Sequence, residues 1–521
     1  MVSENRVAIL RGYYREREGL LELLSFLGLL KGAEKSQKNS LNLNHQICVA
    51  FPNLNHQIYV DILNSNHQIC VDFYCFYHRI YVILQRINKF KNMYRKAYRK
   101  MMEWKDSKAR KPLLLLGARQ VGKTWLMKEF GRREYENVVY INCDTDPLAQ
   151  QLFLSDYDIP RIILGFQAIS GETITEGKTL IILDEIQEAK RGIHSLKYFC
   201  ENASGYHIMA AGSLLGVALA HKESFPVGKV DMLHIYPMDF EEFLLGIGQK
   251  SLSDILTIHD QSLIATFSGK LTDYLFQYYY VGGMPEAVLS FAQHNDLNRV
   301  REIQRAIIDA YRRDTVKHTS KTEAVRIDQV IGSLPSQLAK ENKKFIFGAV
   351  RKGARAADFE LAIQWLQDAG LIYKATRVSK IAMPLKFYEE YTSFKLFFVD
   401  TGLLGCMAEV PSSIIIDKGE SLKEFKGMLT EQYVAQQLAS AGFALYYWTN
   451  DSTPAEIDFA IQKDGKVYPI EVKASTNVRG KSIAQYMKKN PEITGLRFSL
   501  LDFKEQDRIT NIPLYEIPYR F

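Results

Sequence analysis

PLLLLGARQVGKTWLMKEFG, residues 112–131, joins an apolar run, a loop bracketed by two glycines and a helical stretch stopped by a third. Inside it GARQVGKT, residues 117–124, fits the spacing G-x-x-x-x-G-K-[ST] at every required position. Gly117 and Gly122 allow the backbone to bend until successive N–H groups surround an anion, and a helix opening at Lys123 adds the positive end of its dipole. Lys123 is then placed to bridge the β- and γ-phosphates of a nucleotide, with the Thr124 hydroxyl as a magnesium ligand. The candidate ATP-contacting residues are Gly117, Ala118, Arg119, Gln120, Val121, Gly122, Lys123 and Thr124.

Outward from this loop, KTLIILDE at 178–185 is an apolar strand ending in two acids. A strand-end turn explains two acids alone; it does not explain their following a phosphate loop in the same alternating pattern. Asp184 is assigned to the magnesium, through water, and Glu185 to polarising the attacking water. Ser213, at the end of the apolar run YHIMAAGS, either senses the γ-phosphate or caps the next helix. NVVYINCD at 137–144 and KVDMLHIYP at 229–237 read as further buried strands. Strands alternating with helices give an α/β core with a parallel sheet, whose ligands sit at the carboxyl ends of the strands. The periodicity is helical from about 252 to 317, broken at VGGMPEA, residues 281–287. Residues 325–380 read as two helices and a strand, as in a winged helix; Lys343, Lys344, Arg351, Lys352 and Arg355 give that unit a basic side, and none of them is placed to read bases.

In AEIDFAIQKDGKVYPIEVKAS, residues 455–475, Asp464-Gly465 is a two-residue hairpin turn between alternating runs. If so, Lys463 pairs with Lys466, and counting outward sets Asp458 opposite Glu471, two like charges that want a cation. Ile457, Phe459 and Ile461 would meet Ile470 and Val472 on the other face, and Lys473 shares the face of the acids. In EFKGMLTEQYVAQQLASAG, residues 424–442, Glu431 lies on the inward stripe of Met428, Val434, Ala435 and Leu438. A carboxylate there is costly unless paired or metal-bound. Glu431, Asp458 and Glu471 are therefore candidate ligands of a second magnesium, with Lys473 beside them as a catalytic candidate; the alternative is a Glu431 that reaches to solvent and an exposed Glu471–Lys473 pair.

The chain has 521 residues, more than the roughly 250–300 at which single cores stop growing, so several domains are expected. With 47% hydrophobic and 24% charged residues and no apolar run near the ~18 a bilayer span needs, the composition is that of a soluble protein, with no membrane partner. Six cysteines without a CxxC pair suit a reducing cytoplasm. A net charge of +7 permits DNA contact without demanding it. The first 92 residues stand apart: NHQICV at 44–49 returns as NHQIYV at 55–60 and NHQICV at 66–71. His45 with Cys48 and His67 with Cys70 could be metal ligands, but short repeats copy such residues with everything else, and Tyr59 replaces the cysteine of the middle unit. Residues 1–92 are read as translated repetitive DNA, or disordered, before a start at Met93.

Beyond the loop, LIILDEIQ, AGSLLG, FPVGKV with YPMDFEEFL, YYYVGGMPEAV, EIDF and EVKAS make residues 93–521 resemble the prokaryotic AAA-type ATPases with a C-terminal domain of unknown function similar to restriction-endonuclease-like nucleases. The resemblance implies an AAA core at 93–250, a helical lid at 251–320, a winged-helix-like connector at 321–394 and an α+β nuclease-like domain at 395–521. Many relatives have Gly-Arg where this chain has Gly228 and Lys229. Lysine lacks the planar fork of an arginine finger, which bears on any activation between subunits of a homo-oligomer. Two functions remain open: an ATP- and magnesium-dependent enzyme acting on DNA, or a nucleotide-dependent switch that binds a protein partner through a non-cutting remnant. A nucleotide kinase is disfavoured, since no acceptor site or lid arginines can be located.

Overall fold

The structure, a computed structural model, describes residues 49–50, 57–58, 93–213, 215–217, 226–340, 343–413, 423–474 and 481–521. Met1–Asn88 and Lys89–Phe521 are separate units. Of the first, two short strands are described, Val49–Ala50 and Gln57–Ile58, which pair antiparallel. The repeat histidines and cysteines lie outside the described residues.

The second unit opens with five parallel strands: β1 (Leu113–Leu116), β2 (Asn137–Asn142), β3 (Thr179–Asp184), β4 (His207–Ala211) and β5 (Asp231–His234), in the order β2-β3-β4-β1-β5. The apolar runs are continuous because both faces are covered. Leu113, Leu115, Leu180, Ile182 and Met209 point to one cluster with Met101, Leu126 and Phe130 of the helices Ala97–Asp106 and Lys123–Glu134. Leu114, Leu116, Ile181, Leu183 and Ile208 point to another, with Ile162 and Phe166 of the helix Ile159–Ser170 and Leu196 and Phe199 of the helix Gly192–Asn202. β3 and β1 are not neighbours; β4 lies between them. The carboxyl ends of all three thus converge on the phosphate loop.

Helices Phe240–Gly246 to Lys321–Leu338 follow, then Phe347–Val350 and Ala356–Asp368. The chain next builds an eight-stranded mixed sheet from β6 (Ile372–Val378), β7 (Glu389–Phe398), β8 (Leu445–Thr449), β9 (Glu456–Lys463), β10 (Lys466–Val472), β11 (Gly495–Ser499), β12 (Lys504–Gln506) and β13 (Ile509–Pro513). The order is β12-β13-β11-β10-β9-β8-β6-β7. β6 and β7, which the sequence reading gives to the connector, are the edge of this C-terminal sheet, and position 394 falls inside β7. The first apolar cluster runs unbroken from the core sheet through the helices to Phe459, Ile470 and Phe498. One continuous core explains why Lys89–Phe521 behaves as one unit.

The β9–β10 hairpin has the register its turn predicts: Lys463 faces Lys466 and Phe459 faces Ile470, with Asp464 and Gly465 both at positive φ. One packing expectation is corrected. The β8–β9 pairing shifts register between Tyr446 and Trp448, and Ile457 packs with Ala460 in a separate small cluster while Phe459 and Ile461 join the main core. The bulge turns the strand end over, which period-two counting cannot foresee.

The long helix Lys423–Ser440 lies in the middle of this assembly and presents no single inward stripe. Thr430, Gln432, Gln436 and Gln437 are buried as fully as its apolar residues. Each glutamine has found backbone partners: Gln432 bridges the N–H and C=O of Phe398, Gln436 accepts from Thr401, and Gln437 accepts from the N–H of Phe240. Gln437 thereby ties this helix to the segment that follows the five-stranded parallel sheet.

Candidate functional site

The phosphate loop is held from beneath before any ligand is considered. A Cβ on Gly117 would come within 2.1 Å of the Ile235 carbonyl oxygen, and the φ of +135° there is a glycine conformation. Gln120 at +66° and Gly122 at +92° bend the loop into the concave run of N–H groups that binds anions. Buried Arg95 completes the support, donating to the Val121 carbonyl at 2.7 Å, the Tyr236 carbonyl at 2.6 Å and Glu242 at 3.2 Å. Nothing in its spacing marks Arg95 as a loop buttress, and sequence reasoning missed it.

Lys123, at the first turn of its helix, donates from Nζ to the carbonyls of Gly117 (2.7 Å) and Ala118 (2.9 Å). Burial pushes its ammonium down to about 8, against the opposing pull of Glu185 and Asp184. A bound triphosphate brings negative charge to that ammonium and restores its affinity for the proton. ATP binding is thus expected to take up a proton above pH 8, with affinity falling as pH rises from 8 to 10. Calorimetric titration in two buffers of different ionisation enthalpy measures this uptake, and equal heats would rule it out.

Thr124 Oγ1 donates to Asp184 Oδ2 at 2.7 Å, and the Tyr140 hydroxyl donates to the same oxygen at 3.0 Å. The loop and the acidic strand tip, 60 residues apart, are brought together as the sequence requires. Their oxygens are hard ligands of the kind Mg²⁺ takes, so the pair fits that ion. Glu185 sits at φ +50°, a left-handed conformation uncommon outside glycine. Its Oε2 accepts three hydrogen bonds: from Gln187 Nε2 (2.7 Å), the Ser213 N–H (2.9 Å) and Ser213 Oγ (3.0 Å). Ser213 thus reaches back to Glu185, and Gly212 has no side chain because a Cβ would meet Gln187 at 1.8 Å.

Over the loop lies the second half of the chain. Arg119 forms an ion pair with Asp314 of the helix Leu297–His318, and Tyr311 of that helix donates to the Arg119 carbonyl at 2.9 Å. Gly370 packs its α-carbon side on the loop, where an added Cβ would lie 3.2 Å from the Ala118 nitrogen. Lys229 pairs with Glu201 of its own chain at 2.9 Å.

The C-terminal constellation is drawn together but is rich in cations. Glu431, Asp458, Glu471 and Lys473 all lie in one region of the sheet and the helix Lys423–Ser440. Lys343, read from sequence as part of a basic face, is turned inward and paired with Glu431. Buried Lys395 of β7 pairs with Glu456 and stands 4.0 Å from Glu431. Glu471 is 3.1 Å from Lys473 and 3.5 Å from Arg497, its neighbour on β11. Asp458 accepts from the Val472 N–H at 2.7 Å. Burial, then Glu431, push the Asp458 carboxyl up to about 7. Burial works against the Glu431 charge, but Lys343 and Lys395 outweigh it and hold that carboxyl below its ordinary range. Among the described residues, no group of three or more His, Cys, Asp or Glu is gathered tightly enough to hold a metal ion. One oxygen each of Glu431 and Glu471 is buried without a hydrogen-bond donor.

Among the described residues no helix is long and apolar enough to cross a membrane. Cys143, Cys200 and Cys406 are free thiols.

Comparison with known proteins agrees with the core. Residues 109–244 match the AAA domain family, 272–413 a domain of unknown function (DUF8612) and 426–517 a domain of unknown function (DUF4143). An uncharacterized protein of Methanocaldococcus jannaschii is 30% identical over 172 residues, 31% of this chain and 34% of that protein. The chain therefore spans about a third of the length of the curated relative it matches. A Walker-type ATPase of Pyrococcus abyssi is similar at 15% identity over 60% of this chain and 94% of its own, with a TM-score of 0.38. The RuvB Holliday junction branch migration motor of Thermotoga maritima gives 11%, 54%, 89% and 0.25 in the same terms. The Orc1 protein of Aeropyrum pernix, solved with DNA, gives 11%, 62%, 92% and 0.22. The chain carries an AAA-type P-loop domain, followed by matches to two families of unstated function.

Proposed function

We infer that this protein binds and hydrolyses ATP with Mg²⁺, and that the nucleotide state governs a C-terminal domain similar to restriction-endonuclease-like nucleases, acting on DNA in the cytoplasm. The meeting of Thr124 with Asp184 beside Lys123 carries the reading. In it the loop N–H groups and Lys123 bind the β- and γ-phosphates. Thr124 and Asp184 would hold a magnesium ion, which would supply neutralisation of charge developing on the phosphates. Glu185, once released from Ser213 and Gln187, orients a water for in-line attack and accepts its proton. In the C-terminal domain Glu431, Asp458 and Glu471 would be the ligands of a second magnesium and Lys473 the group nearest the scissile phosphate. The charge balance fits only with displacement: Lys343 and Lys395 must yield to the cation.

The same charge balance also favours a second reading, a nucleotide-dependent switch for a protein partner. Cations already stand against two of the carboxylates that a metal would need, Lys343 against Glu431 and Lys473 with Arg497 against Glu471. Plasmid and single-stranded DNA incubated with magnesium separate the two. Under the first reading cleavage appears and is lost in Glu471→Ala, while Lys123→Ala keeps the cutting site but loses its response to ATP. A protein that neither cuts DNA nor binds it at low salt, where phosphate contacts are strongest, leaves only the switch.

A further inference from the structure

Between the phosphate loop and the connector lies a narrow cleft whose walls are Arg119 and Ser213 on one side and Tyr311, Asp314, Trp365 and Leu371 on the other. Its chemistry is one-sided. Arg119 brings a guanidinium and Trp365, 5% exposed, an indole N–H that has no acceptor among the described residues, while the Ser213 hydroxyl donates to Glu185. The acceptor there is Asp314, whose carboxylate holds Arg119. A buried donor without a partner is costly, and a guanidinium and an unsatisfied indole N–H lining one cleft form an anion subsite in which Asp314 is the standing occupant of Arg119.

The position selects the anion. Arg119 stands four residues before Lys123 in the same loop, and Ser213 is bonded to Glu185, the group assigned to the attacking water. A terminal phosphate held by Lys123 and facing Glu185 therefore lies beside this cleft, whereas a diphosphate ends short of it.

Resting on the nucleotide-binding reading above, we propose that the γ-phosphate of a bound nucleoside triphosphate displaces Asp314 from Arg119, so that Arg119 and Trp365 together distinguish triphosphate from diphosphate. The exchange has a built-in output. Asp314 and Tyr311 belong to one helix, and Trp365 to the helix Ala356–Asp368, which runs through the turn at Gly370 into β6. That turn is wedged between both nucleotide-site loops: Gly370 lies on Ala118, and a Cβ on Gly216 would meet the Asp368 carbonyl at 2.0 Å. β6 pairs with β8 and β7, so a shift at Trp365 enters the C-terminal sheet within a few residues.

The test is equilibrium binding of ADP and of a non-hydrolysable ATP analogue with magnesium, with tryptophan fluorescence as the second signal. Arg119→Ala is expected to raise the Kd of the ATP analogue roughly 10- to 100-fold relative to that of ADP, as removal of a charge-assisted hydrogen bond implies. Asp314→Asn, which frees Arg119, is expected to lower the Kd of the analogue several-fold. Trp365→Phe should remove a fluorescence change that the ATP analogue produces and ADP does not, leaving any signal from Trp125 beside Thr124. Equal effects of Arg119→Ala on both nucleotides, with Asp314→Asn silent, would overturn the proposal alone. A wild-type protein that takes up neither nucleotide overturns the parent reading and this one with it.

Discussion

Lys123→Ala is expected to abolish magnesium-dependent ATP hydrolysis and to weaken ATP binding about 100-fold or more. An ammonium donating to phosphate oxygens in a partly dry site contributes about 1.5–3 kcal/mol per bond, and each ~1.4 kcal/mol is tenfold in affinity. Two such bonds to the β- and γ-phosphates set the size of the effect. The structure adds a control, since Lys123 also satisfies the carbonyls of Gly117 and Ala118. Its removal costs the loop both of those hydrogen bonds, so thermal unfolding must be measured beside activity. Glu185→Gln separates chemistry from binding. The amide oxygen can still accept from Ser213, but the side chain cannot take a proton, and hydrolysis is expected to fall roughly 10²–10⁴-fold with ATP binding kept. Measured binding and turnover in the two variants, with and without DNA, distinguish a failed site from a failed fold. Turnover surviving in both would remove Lys123 and Glu185 from the mechanism.

The core of that site is legible in the sequence because its geometry is local. A strand, a tight glycine-framed loop and a helix start fix where Lys123 and Thr124 point, and an apolar strand ending in Asp184-Glu185 leaves those acids little choice of position. The C-terminal hairpin is legible for a related reason: Asp464-Gly465 sets the turn, and the turn sets the register. What the sequence hides is long-range charge compensation. Lys343 looks solvated in its own segment; its destination, Glu431, is 88 residues away. Arg95 and Glu242 are 147 apart, and neither belongs to a periodic pattern. Gln432, Gln436 and Gln437 lie outside the inward stripe named from sequence, yet each is buried against a backbone group that its own helix cannot supply. Polar residues paired across such separations obey no sequence period, so pattern reading assigns them to the surface by default.

The glycine pair in VGGMPEA shows the same effect at a buried turn, and it carries the second large expectation. Asp400 is fully buried just before the helix Thr401–Met407, accepting from the Gly283 N–H at 2.6 Å, the Leu403 N–H at 3.0 Å and Gln436 Nε2 at 3.2 Å. Gly282, at φ +72°, comes so close that a Cβ would meet the Asp400 carboxylate at 2.2 Å, and a Cβ on Gly402 would meet the Gly282 nitrogen at 2.6 Å. Gln304 closes the other side by donating to the carbonyls of Tyr280 and Val281 at 2.9 Å. Asp400→Ala strands three buried donors that water cannot reach, a loss of roughly 3–5 kcal/mol. For a chain of this size that is about 3–6 °C in melting temperature. Asp400→Asn should fall between, since its oxygen replaces one acceptor while its NH₂ confronts a backbone N–H. The effect should reach the nucleotide, because the turn that Asp400 fixes leads into Pro285, whose ring would lie 3.5 Å from a Cβ on Gly122. An Asp400→Ala protein that melts within a degree or two of wild type would show that the turn is held by packing alone. Loss of ATP affinity at temperatures where the variant is still folded would show the turn and the phosphate loop to be one cooperative structure.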